Sequence, residues 1–190
     1  MSREQTAETR ARILEVAGKL FRERGFDGIG VADLMKSAGL THGAFYNHFE
    51  SKNALASEVS EHVLKQTTCA WSGIADADGA GGFDAFIATY LSKSHRDDRA
   101  SGCLIAALGE DVARQDSSVR RAFTSGLRPM IAFLTRHAAG RSAAARRERA
   151  LVTLATLVGT VVLARAVDDG DLSEEFLQAA RAAFKVSSPS

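Results

Sequence analysis

Between Thr9 and Phe26 the apolar residues Ile13, Leu14, Ala17, Leu20 and Phe21 fall at i, i+1, i+4, i+7 and i+8, one face of an α-helix. Gly25 supplies a left-handed terminator and Phe26 the apolar contact that often follows it, so this helix ends near Arg24. A second helix is predicted over Gly28 to Ala38, carrying Leu34 and Met35 and closed by Gly39. After the turn Gly39-Leu40-Thr41, Thr41 is a suitable N-cap for a short third helix, His42 to His48, whose Phe45 pairs inward with Phe49. Ser51 caps a longer fourth helix in which Leu55, Val59 and Val63 repeat every four residues.

The pattern breaks at Gly73 to Gly82, which is rich in glycine and predicts a loop. Helical periodicity returns at Phe83, Phe86, Ile87, Tyr90 and Leu91, followed by a polar stretch, Ser94 to Ser101, expected to be a second loop. A short apolar helix is expected from Gly102 to about Val112, and Asp116 or Ser117 begins another that carries Phe123, Met130, Ile131 and Leu134, with Gly126 and Pro129 expected to kink it. The basic, alanine-rich run Arg141 to Arg149 reads as a solvated loop and helix start rather than a second nucleic-acid surface. It leads into an apolar helix, Leu151 to Val167, ended by Asp168-Asp169-Gly170. Asp171 and Glu174 have capping-box spacing before a last helix bearing Phe176, Leu177, Ala180 and Phe184. No alternating strand pattern and no repeat occurs, so the expectation is an all-α protein of about nine helices.

Composition narrows the class. A chain of 190 residues with 45% hydrophobic and 25% charged residues is that of a folded globular protein. Cys69 and Cys103 make no disulfide framework, and Met1-Ser2-Arg3-Glu4 lacks the apolar core of a signal peptide, so a cytoplasmic location is expected. The uninterrupted apolar stretch Leu151 to Ala164 contains three threonines and is short for a bilayer span, which makes it a buried helix. His42, His48, His62, His95 and His137 make no zinc-like spacing with one another or with the cysteines, so neither metal nor cofactor is expected. A net charge of +1 decides nothing about nucleic acid, because binding depends on where charges sit.

The chemistry lies in the second and third helices. Two short helices joined by a glycine-containing turn form a helix-turn-helix, here spanning about Val31 to His48, and a seven-residue helix of roughly 10 Å fits end-on into a major groove about 12 Å wide. At its tip Thr41, His42, Gly43 and Ala44 are small or hydrogen-bonding and allow close approach to base edges. Tyr46, Asn47 and His48 offer a phenol, an amide and an imidazole to phosphates or bases, and Lys52 adds charge near a helix N-terminus.

Over Arg12 to Leu55 the chain resembles the TetR family of one-component regulators. The resemblance rests on Ile13-Leu14-Glu15-Val16-Ala17, Leu20-Phe21, Gly25-Phe26, and above all the run from Ala38 to Lys52 with its Phe45-Tyr46-Asn47-His48-Phe49 core. It implies that Tyr46, His48 and Lys52 anchor phosphates while Thr41, His42, Ala44 and Asn47 lie close to bases. It also implies two domains, residues 1–50 binding DNA and residues 51–190 binding a ligand and dimerising. The protein is then a dimeric repressor, not an enzyme, released from a palindromic operator by a small molecule. An activator on the same fold stays open. The rival reading is a helical binding or enzymatic domain in which the helix-turn-helix only packs, but no catalytic grouping supports it.

Two departures matter. Gly30-Val31-Ala32-Asp33 stands where the family often has threonines, so contacts from the second helix are not carried over. From Arg3 to Lys52 there are eight Lys or Arg against seven Asp or Glu, so affinity must rest on local placement, with Arg10 and Lys36 joining Lys52 as expected phosphate partners. In the remainder Trp71, Phe86, Tyr90, Phe123 and Phe133, with Phe83 and Cys103, are the candidate lining of an apolar or aromatic ligand site. Cys103 reads either as a thiol sensor or as a small buried filler. The apolar faces of the last two helices, including Leu154, Val158, Val161, Val162 and Phe176, exceed what one small domain buries, and the resemblance turns that surplus into a dimer interface.

Overall fold

The computed structural model describes residues 3–77 and 81–186, and among them there are nine α-helices, one 3₁₀ helix and no strand. The helices are α1 (Arg3–Arg24), α2 (Val31–Ser37), the 3₁₀ helix His42–Asn47, α3 (Lys52–Ala77), α4 (Gly82–Tyr90), α5 (Lys93–Asp97), α6 (Leu104–Arg114), α7 (Ser117–His137), α8 (Ala143–Ala166) and α9 (Gly170–Val186). Packing divides the chain into two compact units, Met1–Leu64 with Arg99–Gly126 and Lys65–Asp98 with Leu127–Ser190. The divisions at residues 64 and 126 fall inside α3 and α7.

The first unit is built on the apolar stripe that the sequence displays. Ile13, Ala17 and Phe21 of α1, Leu34 and Met35 of α2, Phe45, Phe49, Leu55 and Val59 form one buried cluster, which also takes in Leu104, Leu108 and Val112 of α6 and Val119 of α7. Gly18 lets α1 approach α3, since a Cβ there would lie 3.0 Å from a Val63 methyl. At Gly126 the approach of α7 to α3 is closer still, with a Cβ position 2.9 Å from the Leu64 Cβ. The α7 helix continues as one element through Gly126 and Pro129.

In the second unit α8 packs along α9, burying Ala150, Leu154, Leu157, Val161 and Ala164 of α8 with Leu177 and Ala180 of α9. Of the surplus apolar residues expected at the surface, Leu154 and Val161 are therefore interior. The exposed ones are Leu151, Val152, Val162, Leu163 and Leu172. At 24 residues α8 is by length and composition long and apolar enough to cross a membrane. It passes that test as the packed helix of a two-helix layer.

Four expectations are corrected. The α1 helix starts six residues before Thr9, because its first turns are polar and exposed and leave no apolar period to read. Gly73 to Ala77 is helix, not loop: the penalty for one helical glycine is about 1 kcal/mol, and burial of Ala75 at 3% exposure opposes it. The rest of that predicted loop includes residues 78–80, which lie outside the described residues. Part of the second loop is α5, capped by the Ser92 hydroxyl, which accepts from the His95 N–H at 3.1 Å. Its C-terminal end is satisfied by Arg165, which donates to the carbonyls of Arg96 at 2.8 Å and His95 at 2.9 Å. Finally, α9 is capped by Asp169 rather than Asp171, its carboxylate accepting from the N–H groups of Asp171 and Leu172 at 2.9 and 3.0 Å.

Candidate nucleic-acid interface

Two glycines shape the reading edge. Gly25, at φ +78°, ends α1 with its N–H donating to Phe21 O at 2.8 Å. Gly39, at φ +71°, closes α2 in a Schellman turn: the Leu40 N–H bonds Met35 O at 2.8 Å and the Gly39 N–H bonds Lys36 O at 3.0 Å. Any other L-residue at either position would sit in the left-handed region at a cost of roughly 1–2 kcal/mol. The turn delivers the chain to Thr41 in extended conformation (φ −81°, ψ 153°).

The expected third α-helix is a 3₁₀ helix. Its Ala44 N–H reaches back three residues to Thr41 O at 3.1 Å, and His48 to Phe45 O at 2.9 Å. A segment this short closes its first bond by fixing one residue fewer in 3₁₀ geometry than in α geometry, and the two buried phenylalanines supply what the poorer hydrogen bonds do not. Phe45 and Phe49 are 1% and 3% exposed with ring centroids 5.7 Å apart, so both are core anchors as their spacing suggested.

With Phe45 held inward, the polar neighbours are turned out. Thr41, His42, Gly43, Tyr46 and Asn47 are exposed, and Ala44 and Lys52 are half-buried. Thr41 stands at the cap position but its hydroxyl makes no capping bond, so it is not spent within the turn. Tyr46 is 62% exposed and is braced edge-on against Phe45 at 5.2 Å and against His42 at 5.9 Å. In His48 the Nδ1 atom is buried without a hydrogen-bond partner among the described residues, which leaves Nε2 as the nitrogen able to meet an outside acceptor. Lys52 begins α3, whose first turn is capped by the Ser51 hydroxyl accepting from the Ala54 N–H at 3.0 Å. Lys36 is exposed near the end of α2. Gly30 gives α2 no side-chain cap.

Arg10 is placed differently from the rest. Its guanidinium pairs with Glu58 of α3 at 2.5 Å and lies 4.6 Å from the Phe49 ring centroid. It therefore ties α1 to α3 over the aromatic anchor, a role that sequence spacing did not suggest because Glu58 lies 48 positions away.

The candidate ligand residues divide between the units. Trp71, Phe86, Tyr90 and Phe133 meet in one aromatic cluster of the second unit, with Trp71 to Tyr90 at 4.6 Å, Trp71 to Phe86 at 5.2 Å and Phe86 to Phe133 at 5.2 Å. Phe83 joins it, stacked on His137 at 5.2 Å, and so does His95, 4.6 Å from Tyr90. Burial pushes the His95 imidazole below its ordinary value of 6.5 against the opposing pull of its bond to the Tyr90 carbonyl. Phe123 and Cys103 belong to the first unit, Phe123 half-buried against its core and Cys103 1% exposed at the start of α6. Among the described residues no group of three metal-ligating side chains converges.

Residues 13–59, the stretch that builds this edge, match the family model described as bacterial regulatory proteins, tetR family. That stretch is a TetR-family domain. It is 28% identical over 138 residues to the HTH-type transcriptional repressor NemR of Escherichia coli K12, covering 71% of this chain and 69% of NemR. The crystal structure of E. coli NemR in its reduced form is 25% identical, with a TM-score of 0.79 over 95% of this chain and 97% of that one. A TetR-family regulator from Agrobacterium tumefaciens, 18% identical, shares the fold with a TM-score of 0.80 over 97% of this chain and all of its own. A shorter match, 40% identical over 60 residues, is to the regulator AcrR of Shigella flexneri, covering 32% of this chain and 28% of AcrR. The family is one of DNA-binding regulators, and this TetR-type protein is a transcriptional regulator with an all-α fold.

Proposed function

We infer that the protein is a homodimeric repressor that sets two copies of its reading edge into successive major grooves, about 34 Å apart, on a palindromic operator. Residues 1–50 read DNA; residues 51–190 dimerise and bind a small apolar or aromatic molecule that releases the operator. The observation that carries this reading is the outward display of Thr41, His42, Tyr46 and Asn47 from a turn pinned by buried Phe45 and Phe49, inside the stretch that matches the family. Thr41, His42, Gly43, Ala44 and Asn47 face bases. Tyr46, His48, Lys52 and Lys36 meet phosphates, and Arg10 supports the edge from behind.

The dimer joins through the last two helices. The exposed Leu151, Val152, Val162 and Leu163 of α8 and Leu172 of α9 support this, since a monomer in water gains nothing by displaying them together. Trp71, Phe86, Tyr90 and Phe133 line the ligand's path. A packed aromatic cluster takes an apolar guest only by moving its own rings, which is how ligand affinity becomes a preference for one conformation. A regulator of this kind works in the cytoplasm.

The test is selection of bound duplexes by the purified protein. His42→Ala and Asn47→Ala should each relax sequence preference at cognate positions by about 1–3 kcal/mol, whereas Lys52→Ala should weaken all sequences alike and flatten the slope of log K against log salt by about 1. Equal losses on selected and random DNA for all three variants would refute the division of roles. Cys103, as a buried filler, is replaced by serine without changing the response to oxidant. An oxidant-dependent loss of DNA binding that Cys103→Ser abolishes would make it a sensor instead.

A further inference from the structure

The helix-turn-helix is gripped at both ends by carboxylates from one corner of the first unit. At its entry, Asp111 near the end of α6 accepts from the Phe26 N–H at 3.3 Å, immediately after α1. The other oxygen of Asp111 is held by Arg114 at 2.6 Å, which turns the accepting oxygen toward the chain reversal. That oxygen would lie 2.6 Å from a Cβ at residue 25, so Gly25 serves the close approach of the carboxylate as well as its own positive φ. Nearby, Arg22 donates to Ala100 O at 2.6 Å.

At the exit, Asp116 does two things with one carboxylate. Its Oδ1 caps α7, accepting from the Ser118 N–H at 2.9 Å, the Ser118 hydroxyl at 2.6 Å and the Val119 N–H at 3.1 Å. Its Oδ2 accepts from the Asn53 amide at 2.6 Å. Asn53 is the second residue of α3 and follows Lys52. The Ser118 and Ser57 hydroxyls, 3.3 Å apart, extend the contact along α3 by one turn. Hydrogen bonds from Ser118, Val119 and Asn53 hold the Asp116 carboxyl at about 2, so it is an ionised acceptor at any neutral pH.

We propose that Asp111 and Asp116 are positioning residues for DNA recognition: through the Phe26 N–H and the Asn53 amide they hold the two ends of the helix-turn-helix and set the angle at which its edge meets DNA. The inference rests on the DNA-reading function above. The corner spans the end of α6 and the start of α7, so both ends of the reading element are referred to one short piece of chain. Neither carboxylate is offered as a DNA contact. A negative charge beside phosphate would weaken binding, and this is what separates positioning from touching.

The experiment measures affinity for the selected operator and for a random duplex, each over a salt series, in Asn53→Ala, Asp116→Ala, their double variant, Asp111→Ala and Asp116→Asn. The single alanine variants should weaken operator binding about three- to tenfold, as expected for loss of a charge-assisted hydrogen bond at an exposed site. Binding to random DNA should not fall, and the salt slope should stay that of the wild type. The double variant should be no weaker than the weaker-binding single, because Asn53 acts through Asp116. Asp116→Asn keeps the cap, and an Asn53 amide turned over restores the tie, so operator affinity should return. Circular dichroism melts confirm that each variant is folded at the assay temperature. Additive losses, which would mean that Asn53 itself touches DNA, overturn the proposal. So do equal losses on random DNA, and so does unchanged operator affinity. A wild-type protein that selects no sequence would instead sink the DNA-reading function and this inference with it.

Discussion

The two units differ in the charged groups that do most of the tying at their helix ends. In the first, carboxylates do the tying: Asp111 and Asp116 accept from N–H groups and an amide at helix ends, and Glu58 holds Arg10 over Phe49. In the second, arginines do it: Arg165 and Arg181 donate to the carbonyls that end α5 and α4, Arg181 to Leu91 O at 3.0 Å. Asp116, at the start of α7, and the two arginines, at the ends of α5 and α4, complement the helix dipole at the termini they meet. The first unit leaves Lys52, Lys36 and a polar tip facing out, whereas the second buries its aromatic cluster and presents an apolar helix face. One is built to hold a polar edge still and the other to hold apolar surfaces.

The strongest way to break that comparison is to charge the apolar face. Val152→Glu with Leu163→Glu, two side chains 62% and 48% exposed, should leave the monomer folded but abolish the dimer in sedimentation. Operator affinity should then fall by at least about a hundredfold, since the second half-site no longer binds intramolecularly. A dimer that survives both charges would put the interface elsewhere. Next in size are the aromatic anchors. Phe45→Ala and Phe86→Ala remove rings that are each 1% exposed, and each should cost about 3–5 kcal/mol in denaturant unfolding. They should nonetheless differ in function: the first loses sequence selection, while the second keeps it below its melting point and loses the ligand response. Identical functional profiles would erase the distinction between the units.

The smallest effect is one of pH and belongs to the second unit. His95 has a folded value lowered by burial below 6.5, so the unfolded chain binds the proton more readily. Its contribution to stability is present above 6.5 and is lost as pH falls through the lowered folded value. Thermal midpoints measured from pH 7.5 downward should decline through this range, and His95→Gln should flatten that decline. Asp116 acts lower down: with a folded value of about 2 against 3.8, its contribution holds above 3.8 and is lost on acidification toward 2. A loss of operator binding centred near neutral pH would therefore not belong to Asp116.

Much of the reading edge was legible because its determinants are local. Gly25 and Gly39 announce left-handed residues, and Phe45 and Phe49 announce an inward face, which leaves Thr41, His42, Tyr46 and Asn47 to point out. Residues whose partners are remote were not legible. Asp116 could be named as a helix cap from its neighbours, but not as the partner of Asn53, 63 positions earlier. Arg10 was legible as a candidate phosphate partner, but not as the ion-pair partner of Glu58, 48 positions later. The short helix α5 was hidden for the same reason, since Arg165 satisfies its last carbonyls from 69 and 70 positions away.

The amino-acid sequence by itself determined that this is an all-helical TetR-type regulator and where its recognition turn lies, because periodicity, glycine turns and the aromatic anchor act over a few residues. Tertiary structure alone decided that the turn is a 3₁₀ helix, which apolar residues of α8 stay exposed, and that one corner of α6 and α7 grips both ends of the reading element. Those outcomes depend on which distant groups meet, and a carboxylate's partner is chosen by the folded geometry rather than by its neighbours in the chain.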